Sequence, residues 1–127
     1  DKVLEFRRSW DVRPEPLNKN NLYHPINIEI YKNIPKDKIP DTESLKDTYE
    51  RVIKFYDQEI KNQLKNKNIL ISAHGNSIRA LCKYLFGLNE SQITKLEIPT
   101  GNPLLIEIDK NMKIKNCNYD ISKNGYR

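Results

Sequence analysis

Apolar residues at Leu45, Tyr49, Val52, Ile53, Tyr56, Ile60 and Leu64 return at every third or fourth position or its multiple. That spacing lays one apolar stripe along a helix and predicts one from about Asp41 to Leu64. Asp41 or Thr42 is placed to cap its start, just behind Pro40, and Glu43 adds negative charge to the first turn. After the polar residues 61–68 comes Ile69-Leu70-Ile71-Ser72-Ala73, a short apolar run that fits a strand buried on both faces. A second helical pattern covers residues 77–86, with Ile78, Leu81, Cys82, Leu85 and Phe86 inward and Gly87 as its stop. Ile93 and Leu96 fit a further short helix. Pro99-Thr100-Gly101-Asn102-Pro103 reads as a turn, residues 104–108 as a strand, and residues 112–117 as a weaker strand.

Ahead of these elements, Val3, Leu4, Phe6 and Trp10 mark the apolar side of a helix end. Residues 11–40 then hold five prolines (Pro14, Pro16, Pro25, Pro35 and Pro40), which break helices and predict a long surface loop. Loops of that length are often functional. No internal repeat is present. Helix and strand alternate, so the expected class is α/β. Only two or three strands are visible, and a strand apolar on both faces needs neighbours at both edges. Part of the sheet is therefore expected to lie outside this chain.

Composition narrows the class. The 127 residues suit one domain or part of one; 37% are hydrophobic and 31% charged, as in globular proteins. No apolar run approaches the ~20 residues that span a bilayer. The net charge of +5 suits an anionic small molecule, a nucleic acid or an acidic surface, and chooses none of them. The lysines are scattered and not interleaved with aromatics, so no nucleic-acid role is expected. The sequence opens at Asp1 with neither an apolar leader nor a methionine, and is expected to begin partway through a longer chain. Cys82 and Cys117 are too few for a disulfide framework, which predicts reduced thiols and a cytoplasmic location.

Two places carry candidate chemistry. At Ser72-Ala73-His74-Gly75-Asn76-Ser77 the predicted strand gives way to a helix. In open α/β sheets ligands bind beyond the carboxyl ends of the strands. His74 sits there, able to donate to an anion or hold a proton near neutral pH. Gly75 permits a tight turn or a close approach, and Asn76 or Ser77 could cap a helix whose dipole favours an anion. Phosphate is the natural ligand of such a group. The same residues also describe an ordinary strand-to-helix turn with a packed histidine, and taken alone they do not choose. The second place is Arg7-Arg8, whose guanidiniums could grip an oxyanion. Two solvated cations at a helix end are the simpler description of them. Metal binding is not expected, because His24, the only other histidine, lies in the proline-rich loop without ligand spacing.

Taken together, Arg7-Arg8-Ser9-Trp10-Asp11-Val12, Pro40-Asp41-Thr42-Glu43-Ser44-Leu45, Ser72 through Arg79 and Ile98 through Leu104 resemble the 2,3-bisphosphoglycerate-dependent phosphoglycerate mutases of the histidine phosphatase superfamily. The resemblance covers almost the whole chain, in order. It implies that residues 1–127 are the C-terminal portion of one such domain, with a three-layer α/β fold and an incomplete, mostly parallel sheet flanked by helices. The family's Arg-His-Gly motif with its phosphorylated histidine, its acid/base glutamate and its substrate-binding tyrosine and lysine have no counterpart here. The loop after Asp11 also departs from the family's proline-rich run at Arg13 and Glu15.

By resemblance, His74 is the second active-site histidine, protonated and stabilising the transferring phosphoryl group. Arg7 and Arg8 bind the carboxylate or phosphate end of the substrate, and Gly75 and Asn76 contact it. Residues 118–127 match the family's mobile C-terminal segment. The implied reaction interconverts 3- and 2-phosphoglycerate through a phosphohistidine, primed by 2,3-bisphosphoglycerate and without a metal, in a dimer or tetramer. This chain alone is expected to be inactive. The alternatives are a histidine phosphatase or bisphosphoglycerate mutase of the same superfamily, and a non-catalytic phosphate-binding module.

Overall fold

A computed structural model describes residues 2–126, with side chains through residue 124. Four α-helices form: α1 (Lys2–Arg8), α2 (Leu45–Phe55), α3 (Gly75–Phe86) and α4 (Glu90–Lys95). Four short strands follow: β1 (Ile106–Ile108), β2 (Ile114–Cys117), β3 (Tyr119–Asp120) and β4 (Gly125–Tyr126). The chain is α/β in class.

The stripe read from Leu45 onward builds α2, and that helix packs its face on α3. Its cap differs from the expected one. Ser44, not Asp41 or Thr42, takes the N-cap, and its hydroxyl accepts the N–H of Asp47 while the Asp47 carboxylate accepts the N–H of Ser44. This reciprocal arrangement satisfies two of the donors a helix start leaves free. The helix is also shorter than its stripe. After Phe55 it widens into a π-turn over Tyr56–Ile60, with Lys61 N–H reaching the Tyr56 carbonyl at 2.9 Å, and ends in a 3₁₀ turn at Gln63–Lys65. Tyr56 is buried there, its ring set edge-on to Tyr84 at 5.8 Å.

Leu45, Ala80, Cys82, Leu88, Ile93, Leu96, Cys117 and Tyr119 make one core between α2, α3, α4 and the β-ribbons. Trp10 packs on its margin, edge-to-face with Tyr49 at 5.5 Å, with the Lys83 ammonium 4.7 Å from its ring centre. Both cysteines are buried and unbonded, and burial pushes the Cys82 thiol up to about 12.

Residues 11–43 are a long loop, as expected, but a tied one. Arg13 forks onto Asp47, Thr42 Oγ1 donates to the Pro14 carbonyl at 2.8 Å, and Leu17 N–H bonds the Asp41 carbonyl at 3.1 Å. His24 is fully buried: Nδ1 accepts the Ile26 N–H and Nε2 lies 3.1 Å from Asp41 Oδ1.

The sheet departs most from expectation. Residues 69–73 take no regular structure and pair with no strand among the described residues, and Leu70 is 94% exposed. The mostly parallel sheet is not formed: β1 pairs β2 and β3 pairs β4, both antiparallel. The physical reason is that a strand apolar on both faces is held by neighbours on both edges, and these residues supply none.

Candidate active site

Residues 69–73 run into α3 at His74, which keeps φ −63°, ψ 147° and accepts the Ile78 N–H on its carbonyl at 3.1 Å. Its ring Nδ1 accepts the Asn76 N–H at 3.3 Å. His74 is therefore the N-cap itself, in place of Asn76 or Ser77. The same bond assigns the tautomer. An accepting Nδ1 carries no proton, so the hydrogen sits on Nε2. With Nδ1 turned to the helix start, Nε2 of the exposed ring is left as the donor.

Gly75 begins the helix with no left-handed backbone angle, and a methyl group there would meet nothing within 4 Å. Of the two uses expected of it, a tight turn or a close approach, its backbone angle does not require a glycine for the first. What the glycine leaves is an open surface over the first turn, where a ligand can approach closely.

Asn76 is exposed, and its Oδ1 accepts from Arg79 Nη1 at 3.2 Å. Arg79 is only 8% exposed. Its Nη2 donates to the Ile93 carbonyl at 2.6 Å, and its Nε has no hydrogen-bond partner among the described residues. Burial holds the Arg79 guanidinium below its ordinary value, and the positive charge of Arg8 adds to that; Glu97 opposes it. Arg8 thus lies within electrostatic reach of Arg79, and it is ion-paired with Glu97.

The structure separates the two adjacent arginines. Consecutive helical residues do not face each other. Arg8 turns toward Glu97 and Arg79, while Arg7 is exposed and makes no side-chain bond among the described residues. His74 and Asn76 are bonded at the start of α3, Asn76 is bonded to Arg79, and Arg79 feels the like charge of Arg8; Arg7 makes no such link among the described residues.

The tail also touches this region. Tyr119 is buried and its hydroxyl donates to the Glu97 carbonyl. Asn124 donates to the Lys95 carbonyl at 2.8 Å and accepts the Glu97 N–H at 3.2 Å. The segment expected to be mobile is thus bonded on both sides of Leu96, the residue before the partner of Arg8.

Arg79 and Glu97 escaped sequence reasoning. Arg79 could have been found: it follows Asn76 by three on α3 and interrupts an apolar face. Glu97 meets Arg8 across 89 positions, and no local pattern marks it. Among the described residues, no group of three or more His, Cys, Asp or Glu is placed to hold a metal ion, and no helix is long and apolar enough to cross a membrane.

A histidine ring donor and an exposed amide at an open helix start are the kind of chemistry that suits an oxyanion, with Arg8 near enough for its charge to be felt at the buried Arg79. Residues 21–119 match the model of the histidine phosphatase superfamily, branch 1, and the chain belongs to that family. It is 70% identical over 120 residues to the 2,3-bisphosphoglycerate-dependent phosphoglycerate mutase of Pelagibacter ubique (strain HTCC1062), which is 94% of this chain and 50% of that protein. The protein of the same name from Borreliella burgdorferi (strain ZS7) is 50% identical over 113 residues, covering 88% and 46%. That of Treponema denticola is 46% identical over 120 residues, covering 94% and 49%. The chain spans about half the length of the curated relatives it matches.

Proposed function

We propose that this chain is the C-terminal portion of a 2,3-bisphosphoglycerate-dependent phosphoglycerate mutase domain, and that the whole protein interconverts 3- and 2-phosphoglycerate. The shared name of the relatives supports the reaction. The single observation that carries it onto these residues is the bonded set His74, Asn76 and Arg79 at the open start of α3, with the charge of Arg8 close enough to be felt at Arg79.

In this reading the nucleophilic histidine lies in the other half of the domain, and 2,3-bisphosphoglycerate supplies the phosphoryl group that primes it. This half binds and stabilises. A phosphoryl group in transfer spreads negative charge over its equatorial oxygens, so positioned donors do most of the catalytic work. His74 offers Nε2–H to one such oxygen. Asn76 offers its amide hydrogens beside it, and the open backbone at Gly75 lets the ligand lie close. Arg8 exchanges Glu97 for the carboxylate or phosphate end of the substrate, and Arg7 joins it from the exposed side. In the whole protein, residues 69–73 become an inner strand of a mostly parallel, three-layer sheet, which covers Leu70. The protein is cytoplasmic and assembles as a dimer or tetramer.

The test is a mutase assay on two polypeptides. The isolated 127-residue chain is expected to show no turnover above background. In the full-length polypeptide that carries it, His74→Ala is expected to lower kcat by about 10²–10³, the cost of removing one oxyanion donor. Turnover by the isolated chain, or a His74→Ala protein as fast as the parent, refutes the assignment.

A further inference from the structure

The guanidinium of Arg79 has only donors to offer. Whatever atom of Asn76 faces it must therefore be an acceptor. The 3.2 Å contact thus fixes the Asn76 amide with its oxygen toward Arg79 and its two N–H bonds away. An exposed asparagine without such a clamp is free to turn its amide over, and an amide oxygen presented to an anion repels it.

Arg79 can act as a clamp because it is itself held. Its side chain is buried, and its other terminal nitrogen donates to the carbonyl of Ile93, a residue with no exposure at all. Two acceptors on different helices, Asn76 on α3 and the Ile93 carbonyl on α4, are engaged by one planar fork. A lysine ammonium in that place cannot hold the same two with the same geometry.

We propose that Arg79 is a positioning residue: by holding the amide oxygen of Asn76, it makes Asn76 a dedicated donor toward an anionic oxygen of the substrate. Arg79 acts through Asn76 and does not itself touch the ligand. This rests on the reading of Asn76 as a substrate contact in a phosphoglycerate mutase.

A mutant cycle on the full-length polypeptide tests it, with KM and kcat for 3-phosphoglycerate as readout and thermal unfolding as the check on folding. Arg79→Lys keeps the charge and removes the fork. It is expected to raise KM about fivefold when Asn76 is present and less than about 1.5-fold in an Asn76→Ala background, because coupled residues are not additive. An equal fold-change in both backgrounds, or none in either, overturns the proposal. Should Arg79→Lys fail to fold, Asn76→Asp carries the test. Its carboxylate keeps the Arg79 contact but has no hydrogen to donate, so KM should rise further than in Asn76→Ala while Tm is kept. Binding equal to or tighter than that of Asn76→Ala overturns the proposal. If neither Asn76→Ala nor Asn76→Asp changes KM, the substrate role of Asn76 fails and the positioning role with it. If both raise KM while Arg79→Lys acts equally in both backgrounds, only the positioning role fails.

Discussion

Replacing Asp47 by alanine is expected to cost about 1 kcal/mol or more of stability at pH 7. The carboxylate holds the start of α2 and ties the long loop to it. Its Oδ2 accepts the Ser44 N–H at 2.8 Å, half of a reciprocal cap, and Ser44 is buried, so the freed N–H has little water to turn to. A helix cap of this kind contributes about 1 kcal/mol. Arg13 adds a two-pronged bond, Nε to Oδ2 at 2.7 Å and Nη2 to Oδ1 at 2.6 Å. The Arg13 side chain is 61% exposed, so solvent screening leaves that pair a minor part of the cost despite its geometry. Arg13 and the hydrogen bonds from Ser44 hold the carboxyl well below its usual 3.8. A depressed carboxyl stabilises the fold above the unfolded value and loses that contribution as pH falls toward the folded one. The gap between parent and Asp47→Ala should therefore stay constant from about pH 8 to 5 and narrow below about pH 4. Urea unfolding followed by circular dichroism at pH 7 and pH 3 measures it. A gap under about 0.5 kcal/mol at pH 7, or one that widens on acidification, refutes the reasoning.

Two further outcomes are expected. Glu97→Gln removes the counter-charge of Arg8 and should tighten binding of inorganic phosphate up to about fivefold in low salt, the equivalent of a ~1 kcal/mol exposed ion pair, with the gain lost near 0.5 M salt; titration calorimetry at both salts reads it, and weaker binding in low salt would contradict it. Gly87→Ala should destabilise by about 1 kcal/mol in the same urea experiment, because Gly87 ends α3 at φ +62° while nothing lies within 4 Å of an added methyl group, which leaves backbone strain as the whole cost.

Elements with a local cause were legible in the sequence. The α2 stripe, the inner face of α3, Gly87 as its stop and the short helix carrying Ile93 all appear where periodicity and the C-terminal glycine put them. Errors arose where a competing partner decided. Ser44 displaced Asp41 and Thr42 as cap because Asp47 stands three residues after it and can answer its N–H. The α-helix gives way to a π-turn at Tyr56, which packs against Tyr84, although the apolar stripe runs on to Leu64. His74, Gly75 and Asn76 stand at the start of α3, where their place between an apolar run and a helical pattern put them. The separation of Arg8 from Arg7 follows from the 100° step between consecutive helical residues.

The order of residues by itself determined where helices start and stop, which face of each is apolar, and that an imidazole and an amide stand at the open start of α3. These depend on neighbours within a few positions, so they can be read along the chain. Only the tertiary structure decided that a buried Arg79 orients Asn76, that Arg8 spends its charge on Glu97, and that the tail bonds the backbone around Leu96. Those contacts join α1, α3, α4 and the last ribbon across as many as 89 positions. Charge and hydrogen-bond partners at that separation are set by packing, and no pattern along the sequence records it.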